Sequence, residues 1–246
     1  MAVIDKEIQV KSSDRVRNHG EVLTARREVE AMLDLVKNES ERIDSRFLEP
    51  ACGDGNFLVA ILERKLKVVV ERYKTKKVDF EVQMLSALSS IYGIDLLEDN
   101  IELAIKRMFE IAYTCYKNTL KISPDNEFQS IMQFVLKKNI LQGDSLNGID
   151  KIIFTQWTLV GYQFKREEYS FSQMNQEAEI LNTPLFASLV NEKGEDVFIA
   201  QPIKTYPLTH YRKLLEGENY CHPELISGSN DKKILKQVQN DNKGGV

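Results

Sequence analysis

An α/β fold built on a doubly wound parallel sheet is what this sequence predicts, and three observations predict it. Short apolar runs alternate with longer stretches of helical periodicity between Thr24 and Gln142, in the order helix, β, α, α, β, α, α, β. The stretch "FLEPACGDGNFLVAIL" (47–62) leaves a strand through an acidic residue, crosses a glycine-bearing turn and enters a helix at once. Each of the next two strands also runs into an acidic residue, Asp95 in "IYGID" and Asp144 in "NILQGDSL".

The first element is a helix over "TARREVEAMLDLV" (24–36), where Val29, Met32, Leu33 and Val36 fall at helical spacing and Thr24 is placed as the N-cap. "RFLEP" follows as a short strand stopped by Pro50, since proline brings no N–H to a ladder. A helix opens near Asn56 and runs past Val70, "VDFEVQMLSALSS" makes another, and "IYGID" (91–95) is the second strand. "LLEDNIELAIKRMFEIAYTCYKNTL" is a long amphipathic helix with Ile101, Ala104, Ile105, Met108, Ile111 and Ala112 along one side. After the breaker "SPDN" come a helix over "EFQSIMQFVLKKN" and a third strand around "NILQGDSL".

Past Asn147 the texture changes. "KIIFTQWTLVGYQFKREEYSFSQM" concentrates Trp157, Tyr162, Phe164, Tyr169 and Phe171 and reads as strand and turn, with "NGIDKIIFTQWTLV" in the strand-four position. "DVFIAQPIKTYPLTHY" reads as extended, broken by Pro202 and Pro207, and the polar remainder is expected to pack poorly. The organisation expected is therefore a helical N-terminal region (1–40), a ligand-binding core (41–150), an aromatic-rich extension completing the domain (151–215) and a poorly ordered tail (216–246).

Composition narrows the function classes. The chain has 246 residues, 42% of them hydrophobic and 28% charged, which suits a soluble globular protein with one large α/β domain. No apolar run approaches the roughly 20 residues that span a bilayer. The start "MAVIDKEIQVKSSDR" lacks the apolar core of a secretory signal. Three unevenly spaced cysteines, Cys52, Cys115 and Cys221, fit a reduced, cytoplasmic setting. The net charge of −4 argues against a general polyanion binder, although Arg15, Arg17, Arg26 and Arg27 and the run "ERKLKVVVERYKTKK" (63–77) form local basic clusters.

Two readings of the glycine turn stand at this point: a cradle for a nucleotide-like cofactor, or a structural turn. Glu49, Asp95 and Asp144 sit at successive strand ends, so all three fall on one rim of a parallel sheet. A carboxylate at Asp95 suits both hydroxyls of a ribose, and one at Asp144 suits an adenine amino group. The dinucleotide fingerprint is not met, because Leu58 stands where a third glycine belongs, and no G-K-[ST] follows the glycines. Glu49 and Asp54 are also unsuited to a pyrophosphate. A cationic sulfonium with an amino-acid tail suits these acids better, and S-adenosylmethionine is the favoured cofactor.

"FLEPACGDGNFL", "IYGIDLLEDNIELAIKRM" and "NILQGDSL" resemble motifs I, II and III of bacterial adenine-specific DNA methyltransferases, the modification (M) subunits of restriction-modification systems. "VRNHGEVLTARREVEAMLDLV" is similar to that family's motif X, which closes over the methionine end of the cofactor. The resemblance covers about Arg15 to Leu146 and implies the Rossmann-like fold of S-adenosylmethionine-dependent methyltransferases. It implies further that Thr24 contacts the cofactor carboxylate and that Glu49, Ala51, Gly53, Gly55 and Asn56 cradle the methionyl part. Asp95 would then bind ribose, and Asp144 with Ser145 would border the adenine. DNA and a restriction-modification partner subunit are the partners implied.

The sequence departs from that family in three places. Ala25 follows Thr24 where the family usually has proline. Gly55 and Asp95 stand 40 residues apart, against about 20 in a simple βαβ unit. The (N/D)-P-P-(Y/F) tetrapeptide, which polarises the target amine and stacks on a flipped base, is absent, since none of the six prolines has a proline neighbour. "FTQW" (154–157) sets a polar residue before an aromatic but reads as core, and Cys52 reads as a small packed thiol. Catalytic residues are therefore unassigned, no metal-ligand spacing is present, and a cofactor-binding but catalytically incomplete subunit or truncated remnant stands beside the complete enzyme. "CHPELISGSNDKKILKQVQND" resembles peptides encoded by dispersed bacterial genomic repeats.

Overall fold

Parallel pairing of three short strands sets the frame on which everything else is hung. The computed structural model describes Arg15, Arg17, residues 24–172 and residues 201–216; the expectation for the tail lies outside these, apart from Glu216. Helix α1 (Arg26–Leu35) and a single helical turn (Lys37–Ser40) lead into β1 (Phe47–Glu49), followed by α2 (Asn56–Tyr73), α3 (Lys77–Ser89) and β2 (Ile91–Asp95). Helices α4 (Glu98–Leu120) and α5 (Asn126–Asn139) then lead to β3 (Ile140–Gln142). Each crossover thus carries two helices, which accounts for the long separation of Gly55 from Asp95.

The strands run in the order β1-β2-β3 and all pair in parallel, with Glu49 level with Gly93 and Asp95 level with Gln142. Their side chains alternate as a pleated strand requires. Phe47, Ile91 and Ile140 face a cluster that includes residues of every helix from α1 to α5. Leu48, Tyr92, Ile94 and Leu141 face Ile152, Phe154 and Phe171 instead. The fold is α/β around a parallel sheet, as expected, but its second face is covered by aromatic side chains rather than by described helices.

Those aromatics are Phe154 of β4 (Ile153–Val160), Tyr169 of β5 (Gln163–Ser170) and Phe171 just after it; with β6 (Lys204–His210) the two strands form a separate antiparallel sheet. The sequence placed "IIFTQWTLV" in the strand-four position; it pairs with β5 along its whole length and not with β1. The physical reason is local. Gly161, at φ +61°, closes a tight hairpin that brings Gln163 opposite Val160. Trp157 is core, as "FTQW" suggested: its Nε1–H donates to Asn139 Oδ1 at 2.8 Å, while the same amide donates to Ser89 O at 2.9 Å and Ile91 O at 3.1 Å.

Buried charges lock the elements together. Lys65 on α2 is fully buried and donates to Ile43 O at 2.9 Å, to Ser90 Oγ at 2.7 Å and to Ser45 O. Three acceptors match the three N–H bonds of an ammonium, yet loss of water pulls the Lys65 pKa down to about 7. Glu81 on α3 is equally sheltered. It accepts from Tyr116 and Tyr211 at 2.8 Å each, and one terminal nitrogen of the Arg212 guanidinium donates to both of its carboxylate oxygens at 2.6 Å. Arg212 also reaches Asp125, the N-cap of α5, at 2.8 Å. The segment after β6 therefore belongs to the same packed unit as the core. No helix of the described residues is long and apolar enough to cross a membrane.

Removing one partner from a sheltered ion pair strands the other. Arg212→Ala is expected to cost about 3–5 kcal/mol in urea unfolding, because Glu81 loses its close cation and keeps only Lys77 at 3.8 Å. A loss below about 1 kcal/mol would mean that the residues after β6 dock without carrying stability.

Candidate functional site

At the carboxyl ends of β1, β2 and β3 the chain leaves a cavity of about 500 Å³. Thr24, Glu49, Ala51, Gly53, Asn56, Asp95, Asp144 and Ser145 all line it, so residues spread over more than a hundred positions of sequence converge as the strand-end argument required. Gly55 does not line it. It sits behind the turn, buried, at φ +85°, where an added Cβ would lie 2.9 Å from Ala104 Cβ on α4. A larger cavity of about 820 Å³ runs along the outer side of β1, between Arg46, Leu48 and Trp157. It holds none of the candidate positions, and its acids Glu39 and Asp44 are tied to Arg42.

The turn itself is drawn tight. Cys52 N–H donates to Ile94 O at 2.8 Å, which carries the β1–β2 ladder one step beyond Pro50. Gly93 makes this approach feasible, because a Cβ there would meet Leu58 Cδ1 at 2.7 Å and Cys52 Sγ at 3.0 Å. Cys52 is buried, and loss of water first, then the nearby Asp95 and Glu49 charges, push its thiol up to about 12. A thiol held neutral is packing and not a nucleophile.

The carboxylates differ in how much of their accepting capacity is already spent. Asp95 takes the Gly53 N–H at 2.9 Å on Oδ2, and Leu97 N–H at 2.9 Å with Asn100 Nδ2 at 3.0 Å on Oδ1. With roughly four lone-pair positions on a carboxylate, one further donor fits where two ribose hydroxyls were expected. Asp144 accepts from the Leu146 and Asn147 N–H groups at 2.9 and 3.0 Å and from the Asn147 side chain at 3.2 Å. The Asn147 and Leu146 N–H bonds hold its carboxyl below the usual carboxylate range. Glu49 is the open one: among the described residues its only close donor is Ala51 N–H at 3.4 Å, and burial raises its pKa.

Every charged residue lining the cavity is acidic: Glu49, Asp54, Asp95 and Asp144, with no lysine or arginine among the described lining. The rim is apolar, with Met32, Leu96 and Leu146 exposed around it, Leu146 by 85%. Such a lining suits a ligand that is cationic or hydroxyl-rich at one end and flat and apolar at the other, and is unfavourable to a polyphosphate. Among the described residues no group of His, Cys, Asp and Glu is arranged to hold a metal ion.

Two expectations shift. Thr24 does not cap α1: the cap position is Ala25, without a side-chain bond, because Ala25 O already accepts the first helical N–H groups of Glu28 and Val29. Thr24 instead lines the cavity, and its carbonyl accepts from Asn56 Nδ2 at 3.2 Å. The basic clusters are largely consumed internally, with Arg26 held by Glu63, Arg64 by Glu30 and Asp34, and Lys65 buried. Sequence reasoning missed Asn100 and Arg107, although their spacing from Ala104 on a predicted helix was visible.

If the Gly55–Ala104 contact sets the turn, Gly55→Ala should cost about 1–3 kcal/mol in urea unfolding, from both the positive φ and the clash. Adding Ala104→Gly should recover part of that loss and leave the backbone strain. Strict additivity of the two changes would show that the contact does not matter. Compared with known proteins, the chain matches no protein-family model, no curated protein and no solved structure.

Proposed function

We propose that the cavity binds S-adenosylmethionine and that the chain is the cofactor-binding part of an adenine-specific DNA methyltransferase of the modification-subunit kind. The observation that carries this reading is the convergence of Glu49, Asp95 and Asp144, from three parallel strand ends, on one cavity with only acidic charge in its lining. A dinucleotide or nucleoside triphosphate would bring phosphates against four carboxylates. An adenosyl sulfonium brings positive charge instead.

The residues fit that group. Glu49, the least satisfied acid, is placed to hold the cationic amino-acid end, and Asp95 offers one open position to a ribose hydroxyl. Gly53, whose N–H is held by Asp95, lines the floor without a side chain, while Leu96 and Leu146 provide apolar cover for the ring with Asp144 and Ser145 at its edge. When bound, the sulfonium supplies the methyl group. What the chain contributes is alignment, which accounts for much of the rate in an in-line transfer.

The target adenine rests on the motif resemblance alone. Catalytic incompleteness is the better-supported version of this reading, for two reasons. The tetrapeptide is missing, and Phe154 and Trp157, the aromatics nearest its expected place, are buried in packing. Among the described residues, moreover, no strand pairs with the outer edge of β1, because β4 has joined another sheet. A partner chain would then supply the base-handling residues.

Calorimetric titration should show binding of S-adenosylmethionine and S-adenosylhomocysteine, loss of both in Asp95→Ala, and no binding of ATP. Methyl transfer to DNA should need a second subunit. Binding of ATP in preference to the sulfonium, or of none of the three, would contradict the reading.

Glu49 gives a second test through pH. Its folded carboxyl keeps its proton to higher pH than in the unfolded chain, so between the ordinary carboxylate range and its raised value the folded state binds more protons. Stability therefore falls as pH rises through that window. Glu49→Gln removes this cost, so the variant should melt higher than the parent at pH 7 while binding S-adenosylmethionine more weakly. A lower melting temperature at pH 7 would mean that Glu49 is a structural acid.

A further inference from the structure

We propose that Arg107 is the positioning residue of this site: from α4 it sets the shape of the glycine turn and the placement of the α1 entrance, without touching the ligand. The inference rests on the cofactor-binding reading above for its functional consequence, and on the contacts alone for its structural one.

Asn100, Ala104 and Arg107 stand at i, i+4 and i+7 on α4, which puts them on one stripe of the helix. Each member acts on a different part of the rim. Asn100 Nδ2 holds Asp95 at 3.0 Å. Ala104 is small enough for the Gly55 backbone to press against it. Arg107 donates from one terminal nitrogen to Asp54 O at 2.7 Å, the same nitrogen pairs with Asp54 Oδ2 at 2.9 Å, and the other donates to Asn56 Oδ1 at 2.8 Å. The Asn56 amide, so oriented, presents its Nδ2 to Thr24 O at 3.2 Å. One guanidinium therefore fixes the turn, the first helical residue behind it and, through that residue, Thr24 ahead of α1.

Charge gives a second reason for an arginine at this position. Asp54 Oδ1 is buried with no hydrogen-bond partner among the described residues, so the Arg107 cation at Oδ2 is what offsets the Asp54 charge beside Glu49 and Asp95. Arginine can do this and orient Asn56 together because its planar fork carries donors in two directions; a lysine is a single point of charge. None of the Arg107 contacts is with Gly143 to Leu146, which border the apolar rim. The half of the cavity that Arg107 shapes is thus the half at Glu49, Gly53 and Asn56.

The test compares the full-length chain with Arg107→Met and Arg107→Lys, using S-adenosylhomocysteine and adenosine as probes and amide hydrogen exchange of residues 51–58 without ligand. Arg107→Met should lose about tenfold in affinity for S-adenosylhomocysteine, as for one charge-assisted contact behind a site. Adenosine, which lacks the amino-acid end, should bind the variant within about twofold of the parent. Arg107→Lys should fall between, since it restores charge without the fork. Exchange should quicken in the turn and stay unchanged in α3 and β2. Equal losses for the two probes, or a turn whose exchange does not change, would overturn the proposal. If the parent itself binds neither probe, the cofactor reading fails, and turn exchange alone then decides for or against Arg107 as the residue that holds the turn.

Discussion

The closeness of the glycine turn to helix α4 is the constraint from which the rest of the site follows. Gly55 can lie against Ala104 only because neither residue brings atoms beyond a methyl group, and because glycine accepts a positive φ without penalty. That contact puts the first turn of α2 behind the strand ends and leaves Gly53, Asp54 and Asn56 facing the cavity. A second close approach, Gly93 against Cys52 and Leu58, lets the same turn stay bonded to β2. Both are steric conditions, met before any ligand is considered. The carboxylates at the rim are useful because backbone geometry has already aimed them at one point.

Holding such a turn on a three-stranded sheet requires support from outside the ladder, since a small sheet of short parallel strands is weakly cooperative by itself. The support is polar and buried. Lys65 joins the chain before β1 to the junction of α3 with β2, Asn139 joins α5 and β2 to the antiparallel sheet through Trp157, and Glu81 gathers Tyr116, Tyr211 and Arg212. Such groups add little net stability against a well-packed apolar core, but each is satisfied in one arrangement only. They specify the register that brings Glu49, Asp95 and Asp144 to the same rim. The antiparallel sheet then acts as a cover for the second face of the parallel one, a role that a further layer of helices would otherwise take.

Much of this could be read from the residues in order. The helix and strand succession from Arg26 to Gln142 follows the hydrophobic pattern closely, because α1, α4 and α5 each bury a stripe, α3 is buried nearly all round, and each strand runs into a breaker or an acid. The acids at the strand ends were legible for the same reason, since topology alone puts them on one rim. Three things were not. "IIFTQWTLV" has the composition of any half-buried strand, and nothing local says that its partner is β5 through Gly161 and not β1. The fate of the basic clusters depends on which acids α1 presents to α2, and Glu30 takes Arg64 only after the two helices pack. Arg107 is one of several cations on a long amphipathic helix, and only its place on one stripe with Ala104 sets it apart.

The central claim is that three strand ends share one adenosyl sulfonium compound, and a crystal structure of the full chain grown with S-adenosylhomocysteine tests it most directly. Density is expected in the cavity of about 500 Å³, with the amino-acid end at Glu49, the ribose at Asp95 and the ring beside Asp144 and Leu146. Density in the cleft beside β1 instead, or a cavity closed by side chains with no compound inside, would contradict it.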